Sequence, residues 1–392
     1  MCMTSRERML AAFDRRTTDY IPCSFMLWGG LHRGCRDYGA FIERQVAYGL
    51  DAVVELPTRP PRVVNDHYNL HGLPVSYDQR VTVREHIVRM PAEEWPIMIK
   101  EYHTPAGILR TEVRQTTDWR WGDHVPFLDD YLEPRSRTFL VTGPDDLDAL
   151  RFLLVVPSAA EVAAFYADSA IAKSLSQKHG LAVSGGWGVG ADMLGWLTGL
   201  QTMMLDVYDR PEYLKELLDI IAKWNRARQR VVMEAGIDLF VRRAWYENCD
   251  FWTPDTWREF LFPLLKAEVD DAHERGVRFG YLITSACQPL LDWFVELGID
   301  VVIGVDPAQW DLTASKSKLR GKVCLWGGVN GHLTVENGAP SLVREEVSRA
   351  LRILGRDGFI LSPVDNVRLD TEVTRKNVAA LIDEWRLRRL TP

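Results

Sequence analysis

The sequence lacks several features that would mark a membrane or secreted protein. It contains no run of about 18 apolar residues, so it predicts no membrane span. Its six cysteines are scattered without a CxxC pair, which argues against a disulfide scaffold and favours a reducing, cytoplasmic location. The opening MCMTSRERML is typical of a capped helix rather than a signal peptide.

The sequence also has fewer basic residues than acidic residues. The chain has 47 Lys and Arg against 54 Asp and Glu, a formal net charge of -7, and no basic stripe. Binding to a nucleic acid backbone needs clustered positive charge. The sequence therefore predicts neither a nucleic acid nor a membrane partner, and we expect a small-molecule substrate.

Four short apolar runs recur between Gly276 and Asn366, separated by helix-like segments such as SLVREEVSRALRIL. The runs are VRFGYLIT (277–284), DVVIGVDP (300–307), KVCLWGGVN (322–330) and GFILSPVDN (358–366). Near-continuous apolar strands that alternate with amphipathic helices predict βαβ units and a parallel sheet buried on both faces.

Earlier segments bring the number of predicted strands to eight. They are DYIPCSFMLWGG (19–30), DAVVELP (51–57), LAVSGGWGVG (181–190) and IDLFVRRAWYENCDF (237–251). We therefore predict an α/β fold in which residues 1–392 form a single (β/α)8 TIM-type barrel. Residues 58 to about 145 break the alternation, because segments with period two flank an HTPAG turn. We interpret them as a β-hairpin insertion after the second strand, folded over the mouth of the barrel.

Polar residues follow the last predicted strands, and ligands of parallel α/β folds bind at the carboxyl ends of strands. Asp306, Asn330, His332 and Asp365 are therefore expected at one site. The alternative is that each of them caps the helix that follows it.

The fourth predicted strand ends in a crowded group of polar and aromatic residues. This group contains Arg242, Arg243, Trp245, Tyr246 and Glu247. Two arginines in an apolar strand are costly if they are buried without partners, so they either face solvent or hold a carboxylate. Trp28 and Trp187 lie near other strand ends, where an aromatic-walled pocket would need them.

Several long stretches resemble the uroporphyrinogen decarboxylase superfamily, which also contains corrinoid-linked methyltransferases. They include TSRERMLAAFDRRTTDYIPC, TPAGILRTEV, TPDTWREFLFPLLKAEVDDAHERGV and LGRDGFILSPVDNVRLDTEVTRKNVAALIDEW. The resemblance spans nearly the whole chain. It implies a (β/α)8 barrel with its site at the C-terminal mouth, and it implies a homodimer.

The departures from this pattern narrow the function. The decarboxylases have an Arg-Gln-Ala-Gly-Arg segment that grips porphyrinogen carboxylates, whereas only Arg33 could serve in the equivalent stretch here, which also contains His32. The zinc-dependent thiol methyltransferases bind Zn²⁺ through His-x-Cys and a later cysteine. The corresponding first two positions here hold Leu282 and Thr284, and residues 362–366 contain no cysteine, so we predict no metal ligands.

These observations lead to a hypothesis of zinc-independent methyl transfer. The enzyme would move a methyl group from a small methylated substrate, such as an aromatic methoxy compound, to a corrinoid carrier protein. No cofactor would bind tightly, because the partner protein supplies the corrinoid (cobalamin). A general acid would protonate the leaving group. The candidate acids are Glu247, His332 and Asp365; the candidate substrate-binding residues are Trp28, His32, Arg33, Trp187, Arg243, Trp245, Tyr246, Asp306 and Asn330.

Two alternatives remain open at this point. In the first, the protein is a decarboxylase-like lyase acting on a tetrapyrrole or another carboxylate, which Arg33, Arg242 or Arg243 would hold. In the second, it is a non-catalytic corrinoid- or tetrapyrrole-binding protein that keeps the barrel but performs no chemistry.

Overall fold

The computed structural model describes residues 3–56 and 73–390, and the side chain of Trp187 lies outside the described part. The described strands are β1 (Val53–Leu56), β2 (Thr82–Val88), β3 (Ile97–Thr104), β4 (Gly107–Arg114), β5 (Ser136–Thr138), β6 (Ala182–Gly188), β7 (Leu239–Arg243), β8 (Arg278–Leu282), β9 (Val301–Val305), β10 (Cys324–Asn330) and β11 (Phe359–Val364). The described α-helices are α1 (Ser5–Phe13), α2 (Gly29–Arg33), α3 (Tyr38–Ala47), α4 (Leu147–Arg151), α5 (Ala159–His179), α6 (Ala191–Thr198), α7 (Leu200–Asp209), α8 (Pro211–Glu234), α9 (Pro254–Phe260), α10 (Phe262–Glu274), α11 (Leu291–Leu297), α12 (Leu312–Leu319), α13 (Pro340–Leu354) and α14 (Glu372–Arg388). Short 3₁₀ helices occupy Pro144–Asp146 and Gln288–Leu290, and a π-helix occupies Gly331–Glu336.

Seven strands form a curled parallel sheet in the order β1-β6-β7-β8-β9-β10-β11. Every residue of β9, β10 and β11 is buried. This burial is expected when helices cover the outer face of a parallel sheet and side chains fill the inner face. The predicted α/β class and its parallel sheet are therefore confirmed, and the arrangement is consistent with a TIM-like fold.

The predicted count of eight strands is not confirmed, because residues 19–30 contain no regular strand. Cys23 makes an isolated parallel bridge to Leu361 of β11 and Leu27 makes one to Asn366, which follows β11, and α2 begins at Gly29. The regular ladder is interrupted where Met26 N donates to the side-chain hydroxyl of Ser362 at 2.9 Å instead of to a backbone carbonyl. This extended segment nevertheless lies beside the edge strand β11.

Helix α1 packs against one end of the curled sheet. Its residues Met9 and Phe13 are fully buried in one apolar cluster with inward-facing strand residues such as Leu282 and Ile360. The Phe13 ring lies 6.2 Å from the Trp326 ring, centroid to centroid. Because each strand contributes to this cluster, the space inside the sheet is a packed core rather than a channel.

Residues between β1 and β6 contain a second, antiparallel sheet in the order β2-β3-β4-β5. The sequence predicts one hairpin around the HTPAG turn, whereas the structure has a larger sheet in which β3 and β4 flank that turn. Residues 57–72, the start of the predicted insertion, lie outside the described part. Among the described helices, none is long and apolar enough to cross a membrane.

We predict that Phe13→Ala lowers the free energy of unfolding by about 3–5 kcal/mol, because it opens a cavity under the inner core. The matched control is Ile108→Ala, since the Ile108 residue is 57% exposed, and its effect should stay below about 0.5 kcal/mol. Urea unfolding followed by circular dichroism measures both. Equal losses in the two variants would contradict the role of α1 as part of the core.

Candidate active site at the carboxyl ends of the strands

Arg243, the last residue of β7, is surrounded by partners. Its Nε lies 2.8 Å from Asp192 Oδ2, and its Nη2 donates to Asp130 Oδ1 at 2.6 Å. Its Cζ lies 3.8 Å from the Trp245 ring centroid and 4.7 Å from that of Trp196. Two carboxylates and two aromatic rings thus hold the guanidinium, whose side chain is 11% exposed.

Asp130 comes from the loop before β5 and joins the insertion to this group. Its Oδ1 also accepts a hydrogen bond from Trp196 Nε1 at 3.0 Å and from Tyr246 Oη at 3.4 Å. The sequence analysis missed this residue. It lies 113 positions from Arg243, in a loop without a recognisable motif, so no signal in the sequence pairs the two.

Asp192 and Trp196 are presented by α6, one helical turn apart, on the face that meets β7. Asp192 is fully buried, and its Oδ1 accepts a hydrogen bond from Tyr246 N at 2.7 Å. Burial raises the pKa of Asp192, although the charge of Arg243 opposes this shift. The group predicted at the end of the fourth strand, which is β7 in the structure, is therefore completed by Asp192 and Trp196 of α6 and by Asp130.

Glu247 is part of a separate buried network. Arg242 Nη2 donates to Glu247 Oε1 at 2.8 Å, and Arg242 Nε donates to Glu268 Oε2 at 2.8 Å. Glu247 Oε1 also accepts from Ala191 N at 2.9 Å, and its Oε2 accepts from Tyr281 Oη at 2.6 Å. Both oxygens of this fully buried carboxylate are therefore engaged in holding the turn after β7.

Asp306 and Asn330, which follow β9 and end β10, are in direct contact. Asn330 Nδ2 donates to Asp306 Oδ1 at 3.0 Å and to Oδ2 at 2.8 Å. Asn330 Oδ1 accepts from Leu333 N at 2.6 Å and so caps the π-helix. Asn330 thus caps the helix that follows it and also contacts Asp306, a second candidate residue.

Asp365 follows β11 in the left-handed backbone region, with φ 65°. The backbone of a residue that has a Cβ atom is strained in this region by about 1–2 kcal/mol. The side chain is exposed, and surrounding protein raises its pKa by desolvation, with Arg368 and Arg243 opposing the shift and Asp306 adding to it. Arg243 ends β7, Asp306 follows β9 and Asp365 follows β11, and parallel strands end at one edge of their sheet, so the three groups border one space. We call this space the mouth; its described residues are Asp130, Asp192, Arg243, Trp245, Tyr246, Asp306, Asn330 and Asp365.

His332 lies on the π-helix beside the mouth. Its Nδ1 is 3.2 Å from Glu336 Oε2, and its side chain is 63% exposed. Asn337 Nδ2 donates to its carbonyl oxygen at 2.8 Å. The contacts of His332 are therefore with its own helix and the turn after it, and the structure does not join it to the carboxylates of the mouth.

The three candidates after the first predicted strand lie along α2 and its start. Trp28 packs on Phe25 and Tyr48, with ring centroids 4.4 and 5.7 Å away, and lines a cavity of about 370 Å³ between α3 and α14. His32 contacts the ring of Phe41 at 4.7 Å, and Arg33 donates to the carbonyl oxygen of Arg368. Trp28 therefore belongs to this cavity, and Arg33 contacts the segment that follows β11.

A carboxyl group outside the predicted set lies deeper, inside the curled sheet. Glu55 of β1 pairs in register with Ser184 of β6, and both line an internal cavity of about 30 Å³, large enough for a water molecule. Burial raises the pKa of Glu55 to about 7. Among the described residues, its carboxyl group has no hydrogen-bond or ionic partner, and at a pKa of about 7 roughly half of this acid is protonated at pH 7.

Within residues 3–56 and 73–390, no three His, Cys, Asp or Glu side chains form a group that could hold a metal ion. Leu282, at one of the positions that correspond to zinc ligands in the methyltransferases that the sequence resembles, packs in the inner core instead.

Comparisons with known proteins identify the family and the fold of the chain. A family model described as uroporphyrinogen decarboxylase (URO-D) matches residues 145–386, more than half of the chain. A methyltransferase from Methanosarcina mazei aligns with a TM-score of 0.62 at 18% identity, over 98% of this chain and 99% of that chain. A B12-independent methionine synthase from Shewanella sp. W3-18-1, in complex with selenomethionine, aligns with a TM-score of 0.50 at 12% identity, over 94% and 97%. At these identities the likeness concerns the fold. No curated protein sequence matches the chain.

We predict that Glu55→Gln flattens the pH dependence of stability. A carboxyl whose pKa is raised by folding favours the folded state less as pH rises from its unfolded pKa of 4.5 to about 7. The variant should therefore exceed the wild type in free energy of unfolding at pH 8, by up to about 3 kcal/mol, and match it near pH 4.5. Urea unfolding at both pH values measures this difference. Glu94→Gln, at an exposed position, is the control, and parallel curves for all three proteins would contradict the prediction.

Removal of the Glu247 charge should mainly affect stability. Glu247→Gln leaves the buried Arg242 with fewer ionic partners, and breaking a buried pair costs about 3–5 kcal/mol. Glu296→Gln removes a carboxylate that accepts from Arg258 at 2.6 Å on the surface, and should cost less than about 1 kcal/mol. Chemical unfolding of the two variants compares these costs. A small loss for Glu247→Gln would mean that its contacts are dispensable for the fold.

Proposed function

This chain belongs to the uroporphyrinogen decarboxylase family, and from this membership we propose that it is a methyltransferase. In this proposal it moves a methyl group from a small methylated substrate, such as a methoxy compound, to a corrinoid carrier protein, without zinc. The similarity in fold to a methyltransferase over nearly the full length of both chains supports the transfer class. The chemistry is assigned from the residues of the mouth.

The observation that carries the proposal is the environment of Asp365. Among the three candidate acids, Asp365 combines an exposed side chain in the mouth with a raised pKa. A catalytic acid needs a pKa closer to neutral than that of a free carboxyl group, and it needs access to substrate. Glu247 is buried with both oxygens engaged, and His332 contacts its own helix. We therefore assign Asp365 as the proton donor.

Cleavage of a methyl ether requires a proton donor for the oxygen that leaves. When the bond between the methyl carbon and oxygen breaks, its electron pair stays on oxygen, and the proton of Asp365 neutralises the charge that develops there. The corrinoid of the partner protein would supply the nucleophile for the methyl group. Within this chain, Asp306 and Asn330 would orient the substrate, and Trp245 would pack against its apolar part.

The arginines argue against the lyase alternative, in which a substrate carboxylate must be held. Arg242 donates through Nε and Nη2 to two buried carboxylates, and Arg243 is paired with Asp130 and Asp192. Arg33 donates to a backbone carbonyl. A substrate carboxylate at Arg242 or Arg243 would have to displace one of their carboxylate partners, at the cost of leaving that partner unpaired.

A rim of apolar side chains supports the approach of a carrier protein. Leu333, Leu369 and Val373 follow β10 and β11, and they are 60%, 40% and 49% exposed. Exposed apolar side chains next to a polar site are typical of protein contact surfaces. In the proposal, the carrier protein contacts this rim when it presents its corrinoid to the mouth.

The test is methyl transfer by the purified chain to a reduced corrinoid protein, followed by absorbance with a panel of methoxy compounds and methylamines. Asp365→Asn should lower the rate by a factor on the order of 10²–10⁴, because it removes the proton donor but keeps the side-chain shape. His332→Ala should keep the rate within a few-fold. Asp370→Asn, at an exposed position in the same loop, controls for charge.

Two outcomes would contradict this proposal in different ways. Full activity of Asp365→Asn would remove the assigned acid and direct attention to Glu55. Tight binding of uroporphyrinogen, together with its decarboxylation in the absence of any corrinoid protein, would replace methyl transfer by the lyase function.

A further inference from the structure

The pairing of Asp130 with Arg243 sets the charge of the mouth. Arg243 supplies one positive charge and is contacted by two carboxylates, at 2.6 Å from Asp130 and at 2.8 Å from Asp192. The aromatic rings of Trp245 and Trp196 lie near its guanidinium group. An arginine with this set of partners has little capacity left to bind an anionic substrate.

The remaining carboxylates outnumber the cations in the part of the mouth that the structure describes. Asp306 adds a carboxylate to Asp130 and Asp192, whereas Asp365 carries its proton in the proposed function, and the cation that acts on Asp365 besides Arg243 is Arg368. Arg368 is itself 4.0 Å from Glu336. Desolvation is the main cause that raises the pKa values of Asp192 and Asp365, and one neighbouring acid adds to each shift.

Asp130 also retains an oxygen for a ligand. Its three described donors, on Arg243, Trp196 and Tyr246, converge on Oδ1. The Asp130 side chain is 40% exposed, so Oδ2 is available to accept from a group that enters the mouth. A carboxylate oxygen with a fixed partner on one side and solvent on the other is suited to an ammonium group.

We infer that the mouth takes substrates that carry a positively charged nitrogen, and that Asp130 of the insertion binds this group. The inference rests on the proposed function and adds its substrate class: a methylated compound with a cationic end at Asp130 and its methyl group towards Asp365. An anionic substrate is disfavoured, because it would meet the acidic residues and find Arg243 already paired.

Three probes with one scaffold test the inference: 4-methoxybenzylamine, 4-methoxybenzyl alcohol and 4-methoxybenzoate, which are cationic, neutral and anionic at pH 7. Calorimetry at low ionic strength should give the tightest binding for the amine, at least about tenfold tighter than for the benzoate. High salt should reduce this ratio. Asp130→Asn should weaken binding of the amine about tenfold and change binding of the alcohol little.

The control is Asp123→Asn in the same loop, because Asp123 is exposed and accepts from Gln115 at 2.9 Å rather than from Arg243. It should leave the order of affinities unchanged. Equal or tighter binding of the benzoate by the wild type would overturn the inference, and so would the lack of saturable amine binding in the millimolar range. Since no corrinoid protein is present, the result is independent of whether methyl transfer itself is observed.

Discussion

The site depends on the buried ion pairs that Arg242 forms with Glu247 and Glu268. A guanidinium group cannot be buried between a sheet and its helices unless carboxylates compensate for its lost hydration. Here the compensation also connects elements, because Glu247 accepts hydrogen bonds from the first residue of α6 and from Tyr281 of β8. Adjacent strand residues point to opposite faces, so fixing Arg242 outward fixes Arg243 inward at the mouth.

The parallel sheet explains why part of the site was predictable. Strands that are covered on both faces tolerate polar side chains mainly where they end, and parallel strands end at one edge. From this rule alone the sequence predicts that Asp306, Asn330 and Asp365 share a site, and the structure brings Asp306 and Asn330 into direct contact. The alternation of apolar and polar residues with period two also predicts β-strands in the insertion, but it does not predict their number or order.

Other features could not be predicted, for physical reasons. In β1, alternate side chains face the inner core and the outer helices, and both environments are apolar. A pattern of apolar residues therefore gives no sign of which face Glu55 takes. Asp130 reaches Arg243 only because the antiparallel sheet folds back over the strand ends, a tertiary arrangement without a local signature. Residues 19–30, the first predicted strand, do not form a regular strand, because the hydroxyl of Ser362 replaces a backbone acceptor for Met26 N.

The backbone at Asp365 has a consequence for how this protein would respond to selection. Glycine adopts φ 65° without the clash that a Cβ introduces, so the residue found there is not the one that favours folding most. A search for heat-resistant variants would enrich glycine at this position, while under the proposed function a search for turnover would retain aspartate. The two searches would select different residues at this position, and this difference would show that stability and activity favour different side chains there.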